Sequence, residues 1–106
     1  MPQFAVYQNK KLWNSASFPL LVEVQSEMFE DLDTCLVVPL SNLVLFREFP
    51  LSYLTPEIIL DGEFYLLMTP QLAAVARADL GPHVDSVAAQ ERVISDALDF
   101  LIRGYC

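Results

Sequence analysis

One histidine, two cysteines and four arginines are the residues of this 106-residue chain most often used in catalysis. A serine or cysteine nucleophile needs an adjacent base. His83 is the only histidine, and it follows the pair Gly81-Pro82 outside any recognisable catalytic motif. A histidine in that position is more often a surface residue than a base or a metal ligand. The residue types therefore do not predict nucleophilic catalysis.

Other catalytic and metal-binding patterns are also missing from the sequence. There is no GxSxG, HExxH or CxxC motif, and three glycines leave little material for a phosphate-binding loop. We therefore expect no metal ion and no cofactor. The acidic pair Glu30-Asp31 is typical of a solvated loop, and Cys35 and Cys106 are expected to be reduced thiols, with a disulfide between them as the lesser alternative.

The arginines leave one enzymatic reaction to consider, the cleavage of a phosphodiester bond. They are Arg47, Arg77, Arg92 and Arg103. Cleavage would need several of them to converge on one phosphate, and their spacing gives no reason for convergence. We therefore expect a protein that is not an enzyme.

The acidic balance of the chain limits the partners that it can bind. Its net charge is −8, from fourteen acidic and six basic residues, so its surface should repel phosphate backbones. We expect no direct contact with nucleic acid and favour protein partners with basic or apolar surfaces. The apolar content of 54% predicts one globular domain over residues 1–106. Without a signal-peptide pattern or a long apolar run, we expect no membrane contact and a cytoplasmic location.

Short apolar runs separated by turn residues predict a mainly β fold. Strand patterns occupy residues 3–8, 18–25, 34–40, 56–60 and 63–69. Asp61-Gly62 between the last two runs predicts a two-residue hairpin turn. Pro39 cannot donate a hydrogen bond to a neighbouring strand, so we place it at a strand end, edge or bulge. Residues 76–80 are a further, weaker strand pattern.

The C-terminal residues 88–106 predict the one long helix. Ile94, Leu98, Leu101 and Tyr105 recur at the spacing of one helical face, and Gly104 can end the helix in a left-handed conformation. Asp85 or Ser86 can cap its start. The simplest architecture is an antiparallel sheet curled into a small barrel or two packed sheets, with this helix covering one side.

Two aromatic positions in loops have both a structural and a functional interpretation. Trp13 is expected to cover an edge of the core, with an exposed recognition aromatic as the alternative. Met28-Phe29 lie in an acidic loop, where folding back onto the core is the more common arrangement. Presentation to a partner is the alternative.

Several segments, taken in order, resemble the CcdB family of toxins from the ccd toxin–antitoxin system. They are QFAVY at 3–7, VEVQS at 22–26, LVVPL at 36–40, LMT at 67–69, and ALDFLI at 97–102 with Gly104. The resemblance implies an SH3-like small barrel of antiparallel strands with a C-terminal helix, and a two-fold homodimer. It also implies binding to the A subunit of DNA gyrase, trapping of the gyrase–DNA cleavage complex, and removal from gyrase by a CcdA-like antitoxin.

The resemblance also implies which residues of this chain face gyrase. The resemblance assigns this role to Met28, Phe29, Asp99, Ile102, Arg103, Gly104 and Tyr105. Potent members can carry tryptophan at the position of Arg103, in a Trp-Gly-Ile ending, where this chain has Arg-Gly-Tyr-Cys. Two alternatives follow: a relative with weakened or redirected gyrase binding, and an mRNA-cleaving toxin of the same barrel. The acidic charge and unclustered arginines oppose the second.

Overall fold

A computed structural model describes residues 3–10, 12, 15–42 and 54–104 of the chain. Seven strands and one α-helix form within these ranges: β1 (Ala5–Gln8), β2 (Leu20–Glu23), β3 (Thr34–Ser41), β4 (Glu57–Leu60), β5 (Glu63–Leu67), β6 (Ala73–Ala76), β7 (His83–Ser86) and α1 (Glu91–Arg103). All strand pairs are antiparallel, in the order β4-β5-β3-β2-β1-β7, with β6 also paired to β3. The sheet forms a half-barrel followed by the helix, which confirms the predicted fold class.

Strand β3 is the centre of the sheet because three strands pair with it. β2 pairs along one edge, while the other edge pairs first with β6 and then, from Leu40, with β5. Pro39 lies between these two partners, and its carbonyl accepts a hydrogen bond from Met68 N–H at 3.0 Å. The prediction of a strand end, edge or bulge was wrong, since Pro39 is inside β3. A proline fits there because its missing N–H faces the change of partner.

The sheet is buried on both faces. One face packs against α1 through an apolar cluster that includes Val22, Val38 and Leu40 from the sheet, with Ile94 and Ala97 from the helix. Leu98 packs against the same cluster, which confirms the predicted helical stripe at Ile94 and Leu98. Leu101 is only half-buried, and Tyr105 lies outside the described residues. The opposite face carries a second, smaller cluster: Leu21, Cys35, Val37 and Val75.

Local hydrogen bonds fix both ends of the C-terminal segment. A 3-10 helix, Ala88–Gln90, precedes α1, and Ser86 Oγ accepts the Ala88 N–H at 3.2 Å. The prediction that Asp85 or Ser86 caps the long helix is wrong, because α1 begins after Gln90 without a side-chain cap. Gln90 donates to and accepts from the backbone of Ile59 at 2.7 and 2.9 Å, which covers part of the edge of β4. Gly104 ends α1 with φ 79° and donates to Phe100 O at 2.8 Å.

Turns and short helices settle the remaining sequence predictions. Asp61 and Gly62 have φ values of 53° and 77°, which confirms the two-residue hairpin turn between β4 and β5. The weak strand predicted at 76–80 is wrong: β6 ends at Ala76, and a 3-10 helix, Arg77–Asp79, follows. The prediction for Trp13 lies outside the described residues. None of the helices formed by the described residues has the length and apolar content that a membrane crossing requires.

Candidate functional site

The loop between β2 and β3, residues 24–33, contains a 3-10 helix over Glu27–Phe29. Ser26 caps it, because its side-chain oxygen accepts the Met28 N–H at 3.2 Å. The side-chain amide of Gln25 donates to Phe29 O at 3.0 Å and to Thr34 O at 3.4 Å. Polar contacts of the backbone therefore define the shape of this loop, which we call the β2–β3 loop.

Apolar side chains of the β2–β3 loop point into solvent. Met28 is 85% exposed, Phe29 50% and Leu32 52%. The expectation that Met28-Phe29 fold back onto the core is therefore wrong, and the pair is exposed as the alternative required. The physical reason is that the nearby sheet faces are already filled, by α1 on one side and by the second cluster on the other. The exposure of Leu32 was not predicted from the sequence. Its N–H donates a hydrogen bond to Phe29 O at 3.1 Å.

Four carboxylates lie next to or between these three apolar residues in the loop sequence. Glu27, Glu30, Asp31 and Asp33 all lie in the same loop and are exposed. The loop thus exposes apolar and acidic side chains together, which suits a protein surface that combines apolar and basic residues.

The end of α1 presents the second predicted group. Asp99, Ile102, Arg103 and Gly104 are all exposed, and Ile102 is 72% exposed although it is aliphatic. These residues lie in the last turns of α1, beyond the buried Ile94 and Ala97. The structure thus places the two predicted groups on separate elements, each with an exposed apolar side chain beside charged ones. Tyr105 and Cys106 lie outside the described residues.

A buried polar network under the second face of the sheet was not anticipated. The Glu23 carboxylate is fully buried and accepts two hydrogen bonds from Arg77, Nη1 to Oε1 at 3.3 Å and Nη2 to Oε2 at 3.2 Å. The Tyr7 hydroxyl donates to the same Oε1 at 3.3 Å. Tyr7 also meets the ring of His83 edge-on, with 5.7 Å between ring centroids. Only the sheet register brings these residues together.

Burial and the Glu23 charge shift the titration of the groups in this network. Burial, then the charge of Glu23 and its hydrogen bond, raise the pKa of Tyr7 to about 12. Burial, followed by the charge of Glu23, raises the pKa of the Cys35 thiol, so this free cysteine is held as the unreactive thiol. The hydrogen bond to Glu23 raises the pKa of the Arg77 guanidinium. The shifts of Tyr7 and Arg77 favour the neutral phenol and the charged guanidinium, which are the forms that donate hydrogen bonds to Glu23.

Two of the three described arginines are paired with acidic side chains. Arg77 is occupied by Glu23, and Arg92 lies 3.9 Å from Asp96 on the exposed helix surface. Arg103 is a further eleven residues along the same helix, about 16 Å from Arg92 at the usual helical rise. Among the described residues, no group of three or more His, Cys, Asp or Glu side chains could hold a metal ion.

Fold and surface together define a small half-barrel protein that exposes apolar side chains beside charged ones. A family model described as CcdB protein matches residues 3–104, nearly the whole chain. The chain therefore belongs to the CcdB family, and so to the toxins of toxin–antitoxin systems that act on DNA gyrase in general.

The raised pKa of Tyr7 gives a testable pH dependence. Tyr7→Phe should lower the free energy of unfolding at pH 8 by about 1 kcal/mol, because it removes a hydrogen bond to a buried carboxylate. The folded-state pKa of about 12 exceeds the ordinary 10.0, so the parent keeps the full contribution of Tyr7 below pH 10 and loses it progressively from pH 10 to 12. Urea unfolding should therefore show a smaller penalty for the variant at pH 11 than at pH 8. An equal penalty at both pH values would mean that the folded protein does not shift this pKa.

Proposed function

We propose that this protein binds the A subunit of DNA gyrase and traps the gyrase–DNA cleavage complex. In this proposal it acts in the cytoplasm as a homodimer, has no catalytic activity of its own, and is removed from gyrase by a CcdA-like antitoxin. The observation that supports it most is the outward-facing β2–β3 loop in a chain of the CcdB family, with Met28 85% and Phe29 50% exposed.

The energetics of the β2–β3 loop favour a protein partner. Fully burying a side chain the size of Met28 or Phe29 contributes about 1.5–3 kcal/mol. Most of this gain is still available for Met28, which is 85% exposed, and about half of it for Phe29, which is 50% exposed. The acidic residues of the same loop add long-range attraction to a basic surface and repulsion from a bare phosphate backbone. Binding to gyrase itself, rather than to its DNA, is the arrangement that this charge pattern favours.

The end of α1 supplies the second proposed contact. Ile102 offers an exposed aliphatic surface at 72% exposure, while Arg103 adds a positive charge. If the partner surface presents arginines, as the family resemblance implies, Arg103 would meet like charge where an aromatic ring would be attracted. In a two-fold dimer, two copies of Arg103 would meet that charge together.

Arg103 supports a second candidate function within the same family. A relative with the same fold and antitoxin, but with weakened or redirected gyrase binding, would also carry a cation at this position. An mRNA-cleaving toxin has less support, because the described arginines are paired or far apart.

Removal of one aromatic ring tests the role of the β2–β3 loop. Phe29→Ala should weaken binding to a dimeric fragment of the gyrase A subunit about tenfold or more. The reason is that the variant lacks the ring that would become buried in the interface. Isothermal titration measures the dissociation constant. Phe64→Ala is the matched control, since Phe64 is 56% exposed on the hairpin of β4 and β5 and Phe29 is 50% exposed.

The control variant should bind like the parent, and light scattering should give a dimer mass for all three proteins. A parent that binds while Phe29→Ala binds equally well would remove the β2–β3 loop from the proposed interface. Monomers at micromolar concentration would contradict the proposed homodimer.

Two substitutions test the helix end. Arg103→Trp should strengthen binding to the same fragment, because a ring attracts a guanidinium by about 0.5–2 kcal/mol where Arg103 is repelled. Tyr105→Ala should nearly abolish binding. We expect the ring of Tyr105, two residues after Arg103, to stack on the partner's arginines in place of the tryptophan of potent family members. Titration of both variants decides the point: the account of the helix end is wrong if Arg103→Trp gains nothing or if Tyr105→Ala binds as tightly as the parent.

A further inference from the structure

Arg77 holds the last residues of the β2–β3 loop through its backbone and its side chain. Its backbone N–H donates to Asp33 O at 2.7 Å, and its Nε–H donates to Leu32 O at 3.2 Å. The same guanidinium forms the two bonds to buried Glu23. One residue therefore connects the interior of the sheet to the loop that exposes Met28 and Phe29.

The chemistry of arginine suits both contacts at once. A guanidinium is planar and carries donors on three nitrogens, so two can face a carboxylate while the third faces elsewhere. Here both Nη atoms face Glu23, and Nε faces Leu32 O. The side chain of Arg77 is only 21% exposed. Its charge is thus directed inward, so little of the side chain is accessible for direct contact with a partner.

The β2–β3 loop depends on such polar ties because packing does not fix it. All residues from Glu27 to Thr34 are exposed, and the 3-10 helix has no buried residue. Gln25 and Ser26 hold the first half of the loop, and Arg77 holds the second half. A chain of hydrogen bonds continues from Arg77 to Leu32 O and from Leu32 N–H to Phe29 O.

We propose that Arg77 is a positioning residue for the β2–β3 loop, which it presents to the partner in a preformed shape. This inference rests on the proposed function of that loop in gyrase binding. A loop already ordered in the free protein loses less conformational entropy when it binds, so its apolar residues contribute more of their burial to affinity.

Arg77→Lys separates the positioning role from the buried charge. Lysine keeps the positive charge for Glu23 and the backbone bond to Asp33, but it has no donor at the position of Nε. An ammonium that stays on Glu23 therefore leaves Leu32 O without its hydrogen bond. We expect binding to the gyrase fragment to weaken about tenfold, the order expected when one ordering hydrogen bond is lost. Backbone amides of Phe29 and Leu32 should show lower order in NMR relaxation, while those of β2 and β3 stay unchanged.

Arg92→Lys is the matched control, because Arg92 is 93% exposed on α1 and its replacement also keeps the charge. It should change neither affinity nor loop order. Glu23→Gln/Arg77→Gln is the second test variant. It removes both buried charges together and avoids the unpaired carboxylate that could prevent folding. Its β2–β3 loop should lose order in the same way.

The two measurements separate the failure of this inference from the failure of the proposed function. NMR order is measured without gyrase, so a parent that does not bind gyrase refutes the proposed function and leaves the loop test in place. Unchanged order of Phe29 and Leu32 in both test variants would overturn the positioning role. A disordered loop in Arg77→Lys that binds gyrase as tightly as the parent would overturn it as well.

Discussion

The buried ion pair between Glu23 and Arg77 is the interaction on which most of this structure depends. It joins the end of β2 to the 3-10 helix after β6, and the Tyr7 hydroxyl adds β1 to the same carboxylate. Removing one partner of such a pair typically costs about 3–5 kcal/mol, because an uncompensated charge stays buried. A pair of apolar residues could be equally stable, so the value of this ion pair lies in fixing which segments meet.

That constraint leads directly to the proposed binding surface. Because Arg77 is held by Glu23, its Nε and its backbone N–H are available to the two carbonyls that end the β2–β3 loop. The loop can then keep three apolar side chains in water without collapsing onto the sheet. On the opposite face, α1 is fixed by its buried Ile94 and Ala97, which leaves Ile102 and Arg103 at an exposed end. Both proposed contact groups are exposed, because the buried residues next to them pack into the interior.

The sequence predicted the features that depend on neighbours in the chain. Asp61-Gly62 identified the hairpin because a type I′ turn requires positive φ at both residues, and Gly104 identified the helix end for a related reason. Features that depend on distant residues were not predicted. Glu23 and Arg77 are 54 positions apart, and only the pairing of β3 with β2 and β6 brings them together. The exposure of Met28 and Phe29 escaped prediction for the same reason, since the choice depends on whether a free apolar surface lies nearby. Here the second face of the sheet is closed by its own apolar cluster, so the pair has no apolar surface to cover.

The central claim is that this half-barrel acts on gyrase by contact alone and thereby stabilises broken DNA. The most direct measurement incubates the purified protein with gyrase, ATP and supercoiled plasmid, stops the reaction with detergent, and quantifies linear DNA after proteolysis of the bound gyrase. The account predicts that linear DNA accumulates with increasing protein and that none forms when gyrase is omitted. Linear DNA no higher than with gyrase alone, at protein concentrations that saturate the gyrase fragment in titration, would contradict it.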